Sequence, residues 1–294
     1  MAVYLGSSII DSQNSMDIIP DYFTENATIT GTISTINMNI SSVGDEAFHG
    51  CHSLTTVNLS QTSYVGSSAF TYCSSLTTVN LPQATYLGRY AFAYCSSLTT
   101  INLPQVNSID NYAFGGCSLL TMLNLPQVSY IGNSAFRSCY SITTLNASQV
   151  LSLGNGAFYN CSSLANLNLP LLTYIASSAF YSCSSLSMIS LSQVSYIGSG
   201  AFSKCSLLNT ARFSQLQIIH MSAFRECKLL LSLYLLGSSI VELKATNAFD
   251  STPISNYTIA TEGVYGSIYV PASLYSSYIN DTMWSYYSSR FVSI

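Results

Sequence analysis

The chain has 294 residues, of which 48% are apolar and only 7% charged, so it is too hydrophobic to stay disordered and must bury a core. A formal net charge of -4 provides no basic field for a phosphate backbone, which excludes nucleic acid as an expected partner. No stretch approaches the ~18 uninterrupted apolar residues of a membrane span, and the start MAVYLGSSIIDSQNS lacks the basic segment and apolar core of a secretory leader.

Residues 1–31 carry Asp11, Asp17, Asp21 and Glu25, four of the twelve acids, and read as an N-terminal cap or attachment segment. A repeat array then occupies residues 32–250. It opens with Ile33, Ile36 and Met38 ahead of Val43-Gly44, in a first coil one residue shorter than those that follow. The dipeptide Ala-Phe places Phe at 48, 70, 92, 114, 136, 158, 180, 202 and 224, a constant step of 22, and returns at Phe249 after a step of 25. Each of the nine cysteines follows one of these phenylalanines by three residues, from Cys51 to Cys227. A period of this length is the signature of a solenoid.

One unit reads Cys73-SSLTTVNLPQATYLGRYAFAY. Leu76, Val79 and Leu81 form an L-x-x-L-x-L strand signature, which with this period predicts leucine-rich repeats. Over residues 77–81 polar and apolar side chains alternate, so Val79 and Leu81 face inward while Thr78 and Asn80 face outward. Gly88 suits a turn after a short return segment, and RYAFAYCSSL is expected to be a short helical or 3-10 piece seating Phe92 and Cys95 inside. One coil cannot bury its own apolar face, so about ten stacked coils supply the core: a parallel sheet on one face, short helical and extended segments on the other. Residues 251–294 break the repeat, bring in Pro253 and Pro271, and concentrate Tyr257, Tyr265, Tyr269, Tyr275, Tyr278, Trp284, Tyr286, Tyr287 and Phe291. They read as a C-terminal cap, since a solenoid must shield its open ends.

The recurring Ala-Phe, Cys, L-x-x-V/I/L-x-L and following Gly over about residues 33–250 resemble the BspA-like class of bacterial leucine-rich repeat proteins. The tail segments TNAFDSTPI, GSIYVPASLYSSYINDTMW and SRFVSI are similar to a closing segment of such proteins from gut bacteria and their prophages. The resemblance implies an extracellular or cell-surface protein that binds host or matrix proteins, other cells or glycans. The chain departs from the broader leucine-rich pattern: Thr62, Ala84, Val106 and Val128 stand where an asparagine three residues after the L-x-L pair is usual. No binding residue is therefore carried over from other leucine-rich proteins.

Catalysis is not expected. The only histidines are His49, His52 and His220, and between residues 47 and 225 the sole acid is Asp110, so neither a nucleophile–base pair nor paired carboxylates can converge along the array. No phosphate-binding loop or H-E-x-x-H occurs, and Gly198-Ser199-Gly200 reads as turn glycines. The odd number of cysteines, stacked one strand spacing apart, suits a buried thiol ladder better than disulfides. Zinc sites want C-x2-4-C pairs or nearby histidines, and the nearest such pairing, His49 and His52 flanking Cys51, occurs in a single coil, so neither a metal nor a cofactor is expected.

The outward columns are the candidate ligand face. Asn58, Asn80, Asn102, Asn124, Asn146 and Asn168 form one column, continued by Ser190, Arg212 and Tyr234. The next runs Thr56, Thr78, Thr100, Met122, Thr144, Asn166, Met188 and Thr210. These columns either dock a glycan or protein strand, or form an amide ladder that stabilises the sheet from within. Tyr64, Tyr86, Tyr130, Tyr174 and Tyr196 form a further outward column, interrupted at Ser108 and Ser152, whose rings suit either an interface or loop packing. Sequons at Asn26, Asn146 and Asn256 read as chance occurrences in a chain rich in Asn, Ser and Thr. Two functions stay open on these grounds: an adhesion module of a bacterial surface, or a structural or receptor-binding accessory of a phage particle. The second is motivated by the start at Met1, the missing leader and the prophage-like tail.

Overall fold

Strands recur wherever the L-x-x-L-x-L signature predicts them in the computed structural model, which describes residues 2–5, 8–11, 34–255 and 265–294. Two compact units are present, Met1–Gln149 and Val150–Ile294, and both have the same coil. Each full coil carries one longer strand at the repeat signature and one two-residue strand about six residues later.

In the first unit the longer strands Thr35–Met38, Thr56–Leu59, Thr78–Asn80 and Thr100–Asn102 pair in parallel, and Met122–Asn124 pairs likewise with Thr144–Asn146. Register advances by 21 residues at the first step, Thr35 to Thr56, and by 22 thereafter. The shorter first coil is thus accommodated without a slip, because a slip of one residue would turn the apolar set outward. The short strands Ser42–Val43, Tyr64–Val65, Tyr86–Leu87, Ser108–Ile109 and Tyr130–Ile131 form a second parallel sheet. Ahead of the array, Ala2–Leu5 and Ser8–Asp11 form an antiparallel pair; the other residues expected in the N-terminal cap, and Asn26, lie outside the described residues.

In the second unit the short strands Tyr174–Ile175, Tyr196–Ile197, Ile218–Ile219 and Glu242–Leu243 pair in the same way. The longer strands Met188–Leu191, Thr210–Phe213 and Ser232–Leu235 are extended by Ser267–Val270 and Phe291–Ser293, which come from the segment read as a cap. That segment therefore adds two rungs to the sheet. Asn256 and Tyr257 lie outside the described residues.

The core follows the periodicity. Phe48, Phe70, Phe92, Phe114 and Phe136 are buried and stack face to face, with centroids 5.1, 5.0, 5.5 and 5.2 Å apart. In the second unit Phe158, Phe180, Phe202, Phe224 and Phe249 do the same at 5.6, 5.4, 5.5 and 5.4 Å. These separations are close to the spacing of paired strands, so one ring per coil fills the interior without a gap. All nine cysteines are buried and none is in a disulfide, as the ladder reading expects. Their thiols have a use beyond bulk: Cys73, Cys95 and Cys117 donate to the carbonyls of Phe48, Phe70 and Phe92, each at 3.1 Å. Burial pushes the Cys117 and Cys205 thiols up to about 12.

One local expectation is corrected. The stretch around Phe92 is a run of tight turns and not a helix: Ala91, Ala93 and Cys95 bond back three residues, whereas Tyr90, Phe92 and Tyr94 donate to Asn111, Ala113 and Gly115 of the next coil. Half of its N–H groups leave the segment, so a continuous helical ladder cannot form. Gly88 does open the turn after the short strand, its carbonyl accepting the Ala91 N–H at 3.1 Å, but without a positive φ. A Cβ there would lie 2.8 Å from the backbone of Gly66 and Ser67, so the glycine permits close approach of two coils.

Candidate binding surfaces

The longer-strand sheet presents the predicted Asn column. Val79 and Leu81 are buried while Thr78 is exposed and Asn80 half-buried, as strand alternation requires. Asn58, Asn80 and Asn102 are in register, and Nδ2 of each donates to Oδ1 of the preceding rung: Asn58 to Asn37 at 3.1 Å, Asn80 to Asn58 at 2.9 Å, Asn102 to Asn80 at 3.5 Å. Asn146 donates to Asn124 at 3.2 Å in the same way. The amides thus support one another along the sheet. One cross-rung bond uses one of the two N–H groups and one of the two oxygen lone pairs that a primary amide has. Thr100 lies exposed beside Asn102, on the same face as Thr78, and Asn168 is exposed in the second unit. Further toward the C-terminus the column changes chemistry: the Arg212 guanidinium lies over Tyr234 at 4.0 Å, and Tyr234 stacks on Tyr269 at 4.4 Å.

The hydroxyls beside this column are engaged with backbone. Thr77 donates to the Thr55 carbonyl at 3.0 Å and Thr99 to that of Thr77 at 3.2 Å.

Tyr86 and Tyr130 do not share the Asn face. They belong to the short-strand sheet, where Tyr64, Tyr86, Ser108 and Tyr130 are consecutive rungs. The sequence gives the spacing of this column but not its separate sheet, since two-residue strands carry no periodicity of their own. Tyr64 and Tyr86 stack at 5.3 Å, and Tyr86 donates its hydroxyl to Oδ2 of Asp110 at 2.9 Å. Partial burial and then the Asp110 hydrogen bond and charge push the Tyr86 phenol up to about 12, so it stays protonated in neutral solution. In the second unit Tyr174 and Tyr196 stack at 4.4 Å and His220 closes that row, 4.9 Å from Tyr196.

A third aromatic set was not read from sequence. Tyr72 stacks on Tyr94 at 4.8 Å and Tyr90 on Tyr112 at 4.9 Å, on the turns that flank the buried phenylalanines. The 22-residue spacing of each pair was the available signal. His49 sits edge-on to Tyr72 at 5.7 Å and His52 Nδ1 faces the Ser74 hydroxyl at 3.4 Å, so the two histidines have different partners. Among the described residues, no three His, Cys, Asp or Glu side chains gather closely enough to hold a metal ion, and no helix is long and apolar enough to cross a membrane.

The profile of the BspA type Leucine rich repeat region matches six copies here, over residues 16–143 and 129–254. No curated protein matches the chain. Among solved structures it is similar to a leucine rich cell surface protein of Faecalibacterium prausnitzii A2-165, with 23% identity over 93% of this chain and 89% of that one and a TM-score of 0.47. It is also similar to the T. pallidum Leucine Rich Repeat protein, with 27% identity over 65% and 86% and a TM-score of 0.45. The pneumococcal vaccine antigen PcpA shares 16% identity over 99% and 85%, with a TM-score of 0.43.

Proposed function

We propose, from the premise that this chain belongs to the BspA-type leucine-rich repeat family, that it is a non-catalytic binding module of a bacterial surface that takes a host or matrix protein or a glycan. One observation carries this reading: outward amides and hydroxyls are held in fixed register by cross-coil hydrogen bonds, and outward phenols by ring stacking. Such groups are ordered before any ligand arrives, which lowers the entropic cost of association. Charge steering is not the basis of recognition, because only 7% of the residues are charged. In this reading residues 32–250 carry the ligand, residues 1–31 cap or attach the array, and residues 251–294 close it.

The test is a glycan array and a matrix-protein panel probed with the purified chain and two variants, Asn80→Ala/Asn102→Ala/Asn124→Ala and Tyr86→Ala/Tyr130→Ala. Binding lost by the first variant assigns the ligand to the longer-strand sheet, and binding lost by the second to the tyrosine row. A well-folded parent that binds neither class of ligand overturns the proposal.

A further inference from the structure

The tyrosine row of the first unit has one rung missing. Tyr86, Ser108 and Tyr130 occupy successive positions of one parallel sheet, all facing outward, but the middle rung carries only a hydroxymethyl group. Adjacent rings in this row sit 5.3 Å apart at Tyr64 and Tyr86. Two rungs therefore separate Tyr86 from Tyr130, or about 10 Å at the usual strand spacing. A ring inserted over Ser108 would lie about 5 Å from each neighbour, inside the roughly 4.5–7 Å range of stacked rings. Tyr130 is 39% exposed and, among the described residues, has no ring partner, and the Ser108 hydroxyl makes no hydrogen bond there. In the second unit Ser152 is likewise a rung beside Tyr174, but Gly154 stands two residues on, where the first-unit row has Asp110.

The slot also has a polar end. Asp110 follows Ser108 by two residues and is the only acid between residues 47 and 225. Its carboxylate is fixed from both sides: Oδ1 accepts the Asn111 N–H at 2.6 Å and Oδ2 accepts the Tyr86 hydroxyl at 2.9 Å. Each oxygen keeps a further lone pair, so a preorganised acceptor pair stands beside the gap, suited to two neighbouring hydroxyls.

We infer that this slot binds one neutral pyranose residue of a glycan, sandwiched between Tyr86 and Tyr130, with vicinal hydroxyls donated to Asp110. This rests on the binding-module reading and narrows it to one ligand class and one place. Two aromatic walls require a ring that is apolar on both faces. A pyranose whose hydroxyls are all equatorial, as in β-linked glucose or xylose, presents axial C–H groups to both walls and its hydroxyls to the rim. An axial hydroxyl, as in galactose or mannose, would aim a polar group at a tyrosine face, and its desolvation disfavours binding.

The experiment is isothermal titration and saturation-transfer NMR of the full chain with cellobiose and xylobiose against methyl β-galactoside and methyl α-mannoside. The parent is expected to bind the first two, with the axial-hydroxyl sugars about tenfold weaker or worse. Ser108→Tyr completes the row and fills the slot, so it should melt at or above the parent temperature while losing the sugar. Tyr130→Ala removes an exposed wall without touching the core, and should weaken binding by about tenfold. Asp110→Asn should weaken it by a similar factor. Cellobiose binding that survives Ser108→Tyr or Tyr130→Ala unchanged overturns the inference, as does equal affinity for the galactoside. A parent that captures a matrix protein but none of these sugars also overturns it, and leaves the binding-module proposal standing.

Discussion

In each coil from Phe48 to Phe224 the residues two before and two after the buried phenylalanine have left-handed backbone, whatever their side chain: Tyr90 and Tyr94 at φ 58° and 60°, Ser178 and Ser182 at 56° and 60°, Lys204 at 63° and Glu226 at 62°. Left-handed backbone costs a non-glycine residue about 1–2 kcal/mol. It persists because these residues donate across to the next coil, as Ser182 does to the Ser203 carbonyl at 2.8 Å. Ser182→Gly should therefore stabilise the chain by about 0.5–1 kcal/mol, the relief of strain less the larger chain entropy of glycine. A raised urea midpoint at unchanged slope would show it. Gly116→Ala should do the opposite by about 1–2 kcal/mol. Gly116 has φ 78°, and a Cβ there would lie 2.7 Å from the Tyr94 ring. The thiols supply a second test at this scale. With Cys117 and Cys205 held near pKa 12 against an ordinary 9.0, the folded state favours the protonated form. The stability this gives is complete below pH 9.0 and is lost as pH rises toward 12. Alkylation at neutral pH should label no cysteine in the folded chain and all nine in denaturant. Rapid labelling of the folded chain would contradict the buried ladder.

At the scale of the element, the buried and exposed ladders should respond differently to truncation. Phe92 lies between Phe70 and Phe114 at 5.0 and 5.5 Å with no solvent exposure, so Phe92→Ala should cost about 3–5 kcal/mol. Asn80 links Asn58 and Asn102 at the surface, and Asn80→Ala should cost only about 1 kcal/mol, since water replaces the lost partners. Equal losses in denaturant titrations would mean that the amide column holds the coils together as much as the phenylalanine spine does. The difference also explains what the sequence could reveal. Strand alternation and the 22-residue step are side-chain properties, so Val79 in, Asn80 out and Phe92 inside were legible. The turns around Phe92 are set by backbone N–H groups shared with the next coil, and nothing in Tyr90, Tyr94 or Lys204 announces left-handed backbone. Gly88 announced a glycine requirement but not its cause, which is the approach of Gly66 on another coil. The tyrosine spacing was visible as well. Its place on a separate sheet, and the Tyr86–Asp110 hydrogen bond reaching 24 residues along the chain, depend on how coils are laid over one another.

At the scale of the molecule, a stacked array is stabilised by contacts between neighbours, so an exposed end is a structural liability unless it is covered. In the second unit Phe249, the last ring of the phenylalanine stack, is met by Trp284 at 6.0 Å and edge-on by Tyr287 at 5.4 Å. Covering an end with polar aromatics works only if their polar atoms are paired. Trp284 Nε1 donates to the Val241 carbonyl at 2.6 Å, the Tyr278 hydroxyl accepts the Val241 N–H at 3.0 Å, and the Tyr287 hydroxyl donates to the Thr246 carbonyl. The closing segment therefore satisfies the backbone of the final coil as well as hiding its ring. Trp284→Ala would remove a fully buried side chain and one of these bonds, with an expected cost of about 3–5 kcal/mol. The distribution of that cost is the sharper expectation. Nearest-neighbour coupling predicts that hydrogen-exchange protection falls most at Phe224 and Ala248, whose backbones bond to each other at 2.8 Å, and progressively less toward Ile197 and Ile175. Protection that dropped uniformly along these positions would show that the second unit unfolds as one cooperative block, and that its closing segment stabilises every coil alike.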